Sequence, residues 1–224
     1  MIDLKKMAMG VAAAVFLSAG PSLAATLTFV LDDFSTAPHR AVDEPFPGSS
    51  NVSSVAFRSG ERILTAENTA NNNFAEAATT LAVAGGRLSF SNDDQATGRG
   101  TLTYTNVGDI VLGPKPFFLF DVGFFDGVAN FFASVTDTMG RTSTYSELLQ
   151  PGFNPRLLFS QFTGTADFNI VQELSFAIDT TGGVRGVDGS LERITISAIP
   201  LPAGGLLLVF GLGGLAALRR KKVI

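Results

Sequence analysis

Apolar and polar residues alternate in short segments through most of this chain. Five segments place apolar side chains on one face and Thr, Ser or charged residues on the other: 27–31, 88–90, 102–104, 174–178 and 194–196. A period of two is typical of half-buried β-strands. No stretch between residues 25 and 198 sustains the 3.6-residue period of an amphipathic helix. The pattern therefore predicts an all-β domain.

Turn signals divide this domain into about ten strands. Further strands are predicted at 52–57, 79–83, 130–136, 142–145 and 157–159. Residues 117–122 are expected to form a central strand that is either covered on both faces or borders the edge of the core. Gly, Pro and Asx clusters predict turns at 85–86, 92–94, 98–100, 113–114, 126–127, 140, 151–152 and 182–183. Residues 36–50 are expected to form a long surface loop, and 66–78 a loop or one short helical turn. Many short strands with closely spaced turns predict a two-sheet antiparallel β-sandwich that is jelly-roll-like.

The two ends of the chain have the pattern of targeting segments. Two lysines precede an uncharged apolar run at 7–17, and small residues follow, which predicts a signal peptide over 1–24 cleaved between Ala24 and Ala25. Residues 203–218 carry no charge and would form a membrane-spanning helix about 24 Å long. A basic block follows and is expected to stay cytoplasmic: Arg219, Arg220, Lys221 and Lys222. The predicted domains are therefore 1–24, 25–198 and 199–224, with a signal helix and a transmembrane helix on either side of the sandwich.

Composition narrows the function of the sandwich. Residues 26–198 contain 10 basic and 19 acidic residues, so this region carries a net charge of −9, which argues against nucleic acid as a partner. Cysteine is absent, so an exported domain must be held together by its core or by a bound ion. The single histidine, His39, lies in the predicted 36–50 loop, where an exposed bystander role is expected. One histidine excludes His-rich zinc sites and mechanisms that need two imidazoles.

No catalytic or metal-binding motif stands out. Glycoside hydrolysis needs two facing carboxylates, but the acidic residues fall mostly in predicted turns, where they are expected to bind their own backbone. A Gly-x-Ser-x-Gly elbow is also absent. Asp32 or Asp33 near the first strand could meet Asp188 near the last strand around a calcium ion. Separate capping aspartates are the favoured interpretation, so neither a metal nor a cofactor is expected.

Aromatic composition bears on sugar binding, the natural hypothesis for an exported sandwich. The chain has no Trp, two Tyr and 20 Phe. Tyr104 is in phase with Leu102, which predicts a buried ring, so Tyr145 is the better candidate for an exposed stacking platform. The phenylalanines are expected to fill the core. This composition weakens a carbohydrate-binding hypothesis without removing it.

The C-terminal segment resembles a known sorting signal. Ile199, Pro200, Leu201, Pro202 and Ala203, followed by the Gly- and Leu-rich span and the basic block, are similar to the VPLPA variant of the PEP-CTERM signal, with Ile199 in place of the usual Val. The resemblance implies a Gram-negative protein held transiently in the inner membrane. An exosortase-type protease would recognise Pro200 to Ala203, cut nearby and release the body to the surface or extracellular matrix. A permanent anchor is the alternative.

The body more loosely resembles the jelly-roll sandwich domains common in such sorted proteins, through segments 31–34, 162–168 and 188–196. These domains are related in shape to carbohydrate-binding modules, so the resemblance implies the fold and transfers no binding site. Three hypotheses follow. The first is a non-enzymatic surface or matrix protein that is processed at its sorting signal. The second is a carbohydrate-binding module associated with exopolysaccharide, and the third is a polysaccharide-degrading enzyme with an unrecognised carboxylate or tyrosine site.

Overall fold

The computed structural model describes residues 27–43, 50–69, 77–152 and 154–199. This part of the chain contains fourteen β-strands and one 3-10 turn, Phe159–Gln161, and no α-helix. The strands are β1 Thr28–Asp32, β2 His39–Asp43, β3 Asn51–Phe57, β4 Gly60–Asn68, β5 Thr79–Ala84, β6 Arg87–Asn92, β7 Gly98–Gly108, β8 Pro116–Phe125, β9 Ala129–Asp137, β10 Thr142–Leu149, β11 Arg156–Leu158, β12 Thr163–Gly164, β13 Val171–Asp179 and β14 Asp188–Ala198.

The strands form two seven-stranded sheets. Sheet A has the order β11-β8-β14-β6-β5-β2, and β1 pairs with the C-terminal part of β14. Sheet B has the order β12-β10-β9-β13-β7-β4-β3. Every pairing is antiparallel. The predicted all-β, two-sheet antiparallel sandwich is confirmed.

The core between the sheets is built largely from phenylalanine rings. Phe118, Phe120, Phe131 and Phe176 are buried. The Phe120 and Phe176 centroids lie 5.0 Å apart at 85°, an edge-to-face arrangement in which the positive ring edge meets the negative ring face. Tyr104 is also buried, at 1% exposure, as its phase with Leu102 predicts. In these positions phenylalanine fills the core as expected.

A charged network is buried beside this core. Asp32 and Arg62 form an ion pair of 2.9 Å in which both side chains are at most 1% exposed. The Tyr104 hydroxyl donates to the same Asp32 oxygen over 2.8 Å. The Arg62 Nε donates to His39 Nε2 over 3.1 Å, and its NH2 group donates to the carbonyl of Thr36. These bonds link β1, β2, β4 and β7 across the two sheets, and they offset the cost of burying two charges.

Several local predictions are wrong. The predicted 36–50 loop contains strand β2, and strand β4 was not expected at all. Gly98 and Gly100 lie inside β7 rather than in a turn. A Cβ on Gly100 would lie 2.7 Å from Phe90, so this glycine is needed because a ring packs on the strand. Of the two expectations for 117–122, coverage on both faces is wrong, because Leu119 on β8 is 40% exposed.

The predicted targeting residues lie outside the described residues: Ala24, Ala25, Pro200, Leu201, Pro202, Ala203, Arg219, Arg220, Lys221 and Lys222. Within the described ranges, no helix has the length and apolar character to cross a membrane. Residues Leu27–Ile199 form one compact unit.

Candidate functional site

The outer face of sheet B carries rows of hydroxyl groups. Buried residues such as Leu64, Leu102, Val135, Leu174 and Phe176 point to the core, so the residues alternating with them point outward. Most of these outward residues are Ser or Thr. We define the hydroxyl face as Thr65, Thr101, Thr103, Thr105, Ser134, Thr136, Thr144, Ser146 and Ser175, together with Phe132 and Ala177.

Strand register aligns these side chains across the sheet. Ser175 on β13 lies between Ser134 on β9 and Thr103 on β7. Thr144 on β10 continues the row beyond Ser134. The Thr103 Oγ1 and Ser175 Oγ atoms are 3.2 Å apart, within hydrogen-bond distance. Because neighbouring strands lie about 4.8 Å apart, such a row presents one hydroxyl at every strand.

Phe132 supplies an apolar surface on this face. Its side chain is 36% exposed. It is paired with Ala177 on β13, which in turn is paired with Thr101 on β7. Ala177 is only 4% exposed although it points outward. We attribute its burial to the Arg99 side chain, which crosses β13 from β7 to reach the Phe132 ring, so the exposed apolar surface here is the Phe132 ring itself.

Charged groups lie beside the Phe132 ring. The Arg99 guanidinium carbon lies 5.4 Å from the centroid of the Phe132 ring, within cation–π range. In the register, Arg99 is flanked by Asp179 on β13 and Glu67 on β4. The buried Arg99 Nε atom has no hydrogen-bond partner among the described residues. Most buried donors in folded proteins have a partner, so this atom is unusual.

Together these groups suit a neutral, hydroxyl-rich ligand. An aromatic ring can pack against C–H groups, and Ser and Thr hydroxyls can both donate and accept hydrogen bonds. The charged groups combine Arg99 with Asp179 and Glu67, so they do not select strongly for one sign of charge. A few polar groups around an apolar surface are typical of small-molecule sites.

Tyr145 does not contribute to this face, so the prediction of an exposed Tyr145 platform is wrong. It is paired with the inward-pointing Ala133, so its ring turns towards the core. The ring lies 5.7 Å from Phe162, and its hydroxyl donates to Glu147 over 2.8 Å. Burial, followed by this hydrogen bond and the Glu147 charge, raises the pKa of Tyr145 to about 12.

The structure does not bring Asp32 or Asp33 together with Asp188, so the calcium site suggested by the sequence is not formed. Asp32 is engaged by Arg62, and Asp33 accepts hydrogen bonds from the backbone and hydroxyl of Ser35, which lower the pKa of Asp33. Asp32 is paired with Ile194 on β14. Asp188 lies six residues earlier on that strand, about 20 Å away. No group of three metal-ligating side chains occurs within the described ranges.

Turn aspartates bind their own backbone, as predicted. Asp137 accepts hydrogen bonds from the backbone amides of Met139, Arg141 and Asp167, and Arg141 Nε approaches it to 2.6 Å. Burial alone would raise its pKa, but these hydrogen bonds lower the pKa of Asp137 to about 2. Asp126 differs, because it accepts from the amide of a distant residue, Asp188 on β14, over 2.7 Å. These carboxylates are occupied in holding loops.

His39 is not a loop bystander, contrary to expectation. It begins strand β2 and is half-buried. Its Nδ1 lies 3.2 Å from Ser53 Oγ, and its Nε2 accepts from Arg62. Desolvation, followed by the Arg62 charge, lowers the pKa of His39. Because Arg62 supplies a donor, the neutral ring must carry its proton on Nδ1.

Comparison with known proteins gives likenesses to solved structures alone. No family model matches the chain, and no curated protein matches it. The family 11 carbohydrate-binding module of the cellulosomal cellulase Lic26A-Cel5E of Clostridium thermocellum is 12% identical, with 79% of this chain and 96% of that chain covered and a TM-score of 0.41. The module TmCBM61 in complex with β-1,4-galactotriose is 13% identical, with 66% and 88% covered and a TM-score of 0.34.

Larger enzymes also share part of this shape. An exo-β-agarase is 13% identical with a TM-score of 0.44, and 77% of this chain is covered. The chain spans 25% of that agarase and 22% of PfGH50B. Identities near 12% and TM-scores below 0.5 leave the assignment of a ligand site to the geometry of this chain.

Sequence reasoning missed the hydroxyl face. The signal is the alternation of Thr and Ser with apolar residues at 101–105, 134–136 and 144–146. That alternation predicts strands without showing that their polar sides form one surface. The expectation that phenylalanine fills the core is wrong for Phe132, because its odd spacing from Phe131 puts the two rings on opposite sides of β9.

Proposed function

We propose that the sandwich is a non-catalytic, jelly-roll-like carbohydrate-binding module that recognises a neutral polysaccharide through the hydroxyl face. The observation that carries this proposal is the exposed Phe132 ring beside the buried Ala177, with aligned Ser and Thr hydroxyls on the strands around it. A sugar ring lying on Phe132 would place its hydroxyls over these groups.

The positions of the acidic residues near the hydroxyl face favour binding without catalysis. The carboxylates in register with Arg99 are Asp179 on one side and Glu67 on the other. Glycoside hydrolysis needs two carboxyl groups that face one bond, and here the strand that carries Arg99 separates them. A hydrolase is therefore the weaker hypothesis for this face.

The predicted targeting segments indicate where in the cell the protein would act. A signal peptide cleaved at Ala24 would export the body, and the 199–224 segment would hold it in the inner membrane until an exosortase-type protease acts at Pro200 to Ala203. The released module would then bind exopolysaccharide at the cell surface or in the matrix. This part of the proposal is supported by the motif alone.

A binding panel tests the proposed function. The full-length chain is run in affinity gels containing mixed-linkage β-1,3-1,4-glucan, β-1,4-galactan or agarose. We expect retardation in at least one gel, and Phe132→Ala should weaken it about tenfold or more, equivalent to about 1.4 kcal/mol. Phe124→Ala is the matched control, because Phe124 is a half-exposed ring on sheet A. Equal retardation of the two variants, or none for the parent chain, would contradict the proposal.

Mass spectrometry of both protein ends after cell fractionation tests the location. Processing predicts a mature N-terminus at Ala25 and loss of Ile224 from the surface fraction. Protein that keeps an intact Ile224 in the inner membrane at steady state would show a permanent anchor instead.

A further inference from the structure

A second polar groove lies on the outer face of sheet A, on the opposite side of the sandwich from the hydroxyl face. Its floor is formed by β8 and β14, and it is lined by Thr28, Leu119, Asp121, Asn154, Arg193, Thr195 and Ser197 among others, enclosing about 450 Å³. We refer to it as the sheet-A groove. Its place is set by register, because Asp121 is paired with Arg193 and Leu119 with Thr195.

The charged and amide side chains of this groove are held in place, but they can still form further hydrogen bonds. Asp121 and Arg193 approach to 3.4 Å, and each side chain is about half exposed, at 52% and 51%. A contact of this length and exposure contributes little to stability, so both groups retain capacity for a ligand. Asn154 Oδ1 accepts from the Val122 amide over 3.1 Å, which anchors the side chain and leaves its NH2 group to donate.

The other side chains that line the sheet-A groove also suit a neutral, hydroxyl-rich ligand, as those of the hydroxyl face do. Thr28 Oγ1 and Ser197 Oγ are 3.4 Å apart at one side of the groove. Leu119, at 40% exposure, provides an apolar surface between the polar groups. A carboxylate, an amide, a guanidinium and hydroxyls around one aliphatic side chain can bind vicinal hydroxyl groups. The neighbouring acid and base leave no net charge to favour an ionic ligand.

We propose that the sheet-A groove is a second saccharide-binding site, so that one domain bridges two polysaccharide chains. The inference rests on the proposed function of the hydroxyl face and extends it, because sites on opposite faces of one sandwich cannot engage the same short segment of polymer. A bivalent protein gains avidity on a polymer network and cross-links it. The chain would then act as a matrix cross-linker rather than as a passive coating.

Stoichiometry and cross-linking test this inference together. Isothermal titration of the full-length chain with β-1,4-galactotriose and with the mixed-linked β-1,3-1,4 tetrasaccharide should give two sites per chain for at least one of them. Arg193→Ala and Phe132→Ala should each leave one site, and the double variant none. Light scattering of the corresponding polymer should rise with the parent chain and stay at baseline with either single variant. Arg87→Ala, an exposed arginine on the β5–β6 hairpin of the same sheet, is the control and should behave as the parent chain does.

The outcomes separate this inference from the proposed function. A single site that is lost in Phe132→Ala and kept in Arg193→Ala would overturn the second site and leave the proposed function standing. A single site lost only in Arg193→Ala would support the groove, overturn the bridging role and contradict the hydroxyl face. No binding of either saccharide would overturn both. Circular dichroism spectra that match the parent chain establish that each variant is folded, and the surface position of Arg193 makes this the expected result.

Discussion

At the scale of single residues, the Asp32 carboxylate is a buried charge whose stability depends on its hydrogen-bond partners. It is buried, and it accepts from Arg62, from the Tyr104 hydroxyl and from the Phe34 amide, over 2.8 to 2.9 Å. Burial and then the Asp32 charge raise the pKa of Tyr104 well above its usual value, so the phenol stays protonated and keeps donating. With these partners in place the buried charge is stable, and removal of one partner is expensive.

Asp32→Ala should therefore destabilise the domain by about 3–5 kcal/mol, because Arg62 would remain buried without its counter-ion. Asp121→Ala is the control, since its partner Arg193 is half exposed and such pairs contribute about 0–1 kcal/mol. Urea unfolding of both variants measures the difference. Similar unfolding midpoints for the two variants would show that the Asp32 network does not stabilise the fold.

His39 predicts a pH dependence of stability. Its pKa is lowered in the folded domain, by desolvation first and by Arg62 second, with smaller opposing effects from a hydrogen bond with Ser53 and then from Asp32. The unfolded chain therefore binds a proton more readily, and stability should fall as the pH decreases below the ordinary histidine value of 6.5. In His39→Gln, which keeps a side-chain acceptor for Arg62, the thermal midpoint should vary less between pH 7 and pH 5. An unchanged slope in this variant would assign the effect to other groups.

At the scale of elements, the sequence predicts strands whose apolar period is intact and misses strands whose inward side is polar. Strand β4 turns Arg62, Leu64 and Ala66 inward. A charged residue on the core side breaks the expected alternation. It is tolerated only because Asp32, thirty positions earlier in the chain, meets it across the sandwich. Strand β2 likewise has His39, Arg40 and Asp43 in five residues, and its assignment depends on pairing with β5.

Strand β7 provides a prediction at this scale. Gly100→Ala should lower the free energy of unfolding by about 1–3 kcal/mol, because the new methyl group would meet the Phe90 ring at 2.7 Å and force the core to shift. Gly183→Ala is the matched control, since its closest contact would be 3.3 Å from the Thr180 carbonyl. Equilibrium unfolding in urea measures both. Equal stability of the two variants would mean that Phe90 does not constrain β7.

At the scale of the whole molecule, the described domain keeps its two ends together and its candidate binding face apart from them. Thr28 is paired with Ser197, and the Ala198 amide donates to the Leu27 carbonyl over 3.0 Å, so both ends lie in sheet A. The hydroxyl face belongs to sheet B. An outward-facing surface on the sheet that does not carry the two ends of the described domain is well placed to contact an extended polymer.

The hydroxyl face was not predictable from the sequence in the way the sandwich was. Alternation shows that Thr101, Thr103 and Thr105 share one side of a strand. It does not show which strands are neighbours. Only the order β9-β13-β7 brings Phe132, Ala177 and Thr101 into one row. Composition favours Tyr145 as the stacking platform, but pairing with the inward-pointing Ala133 turns its ring to the core.

The most direct test of the binding face is a nitrogen-15 NMR titration of the full-length chain with the saccharide that binds best in the affinity gels. The amide signals of Phe132, Ala177 and Thr101 should move in a saturable manner, and the same titration of Phe132→Ala should leave the Ala177 and Thr101 signals in place. Saturable binding that moves none of these three signals would contradict the hydroxyl face as the carbohydrate site.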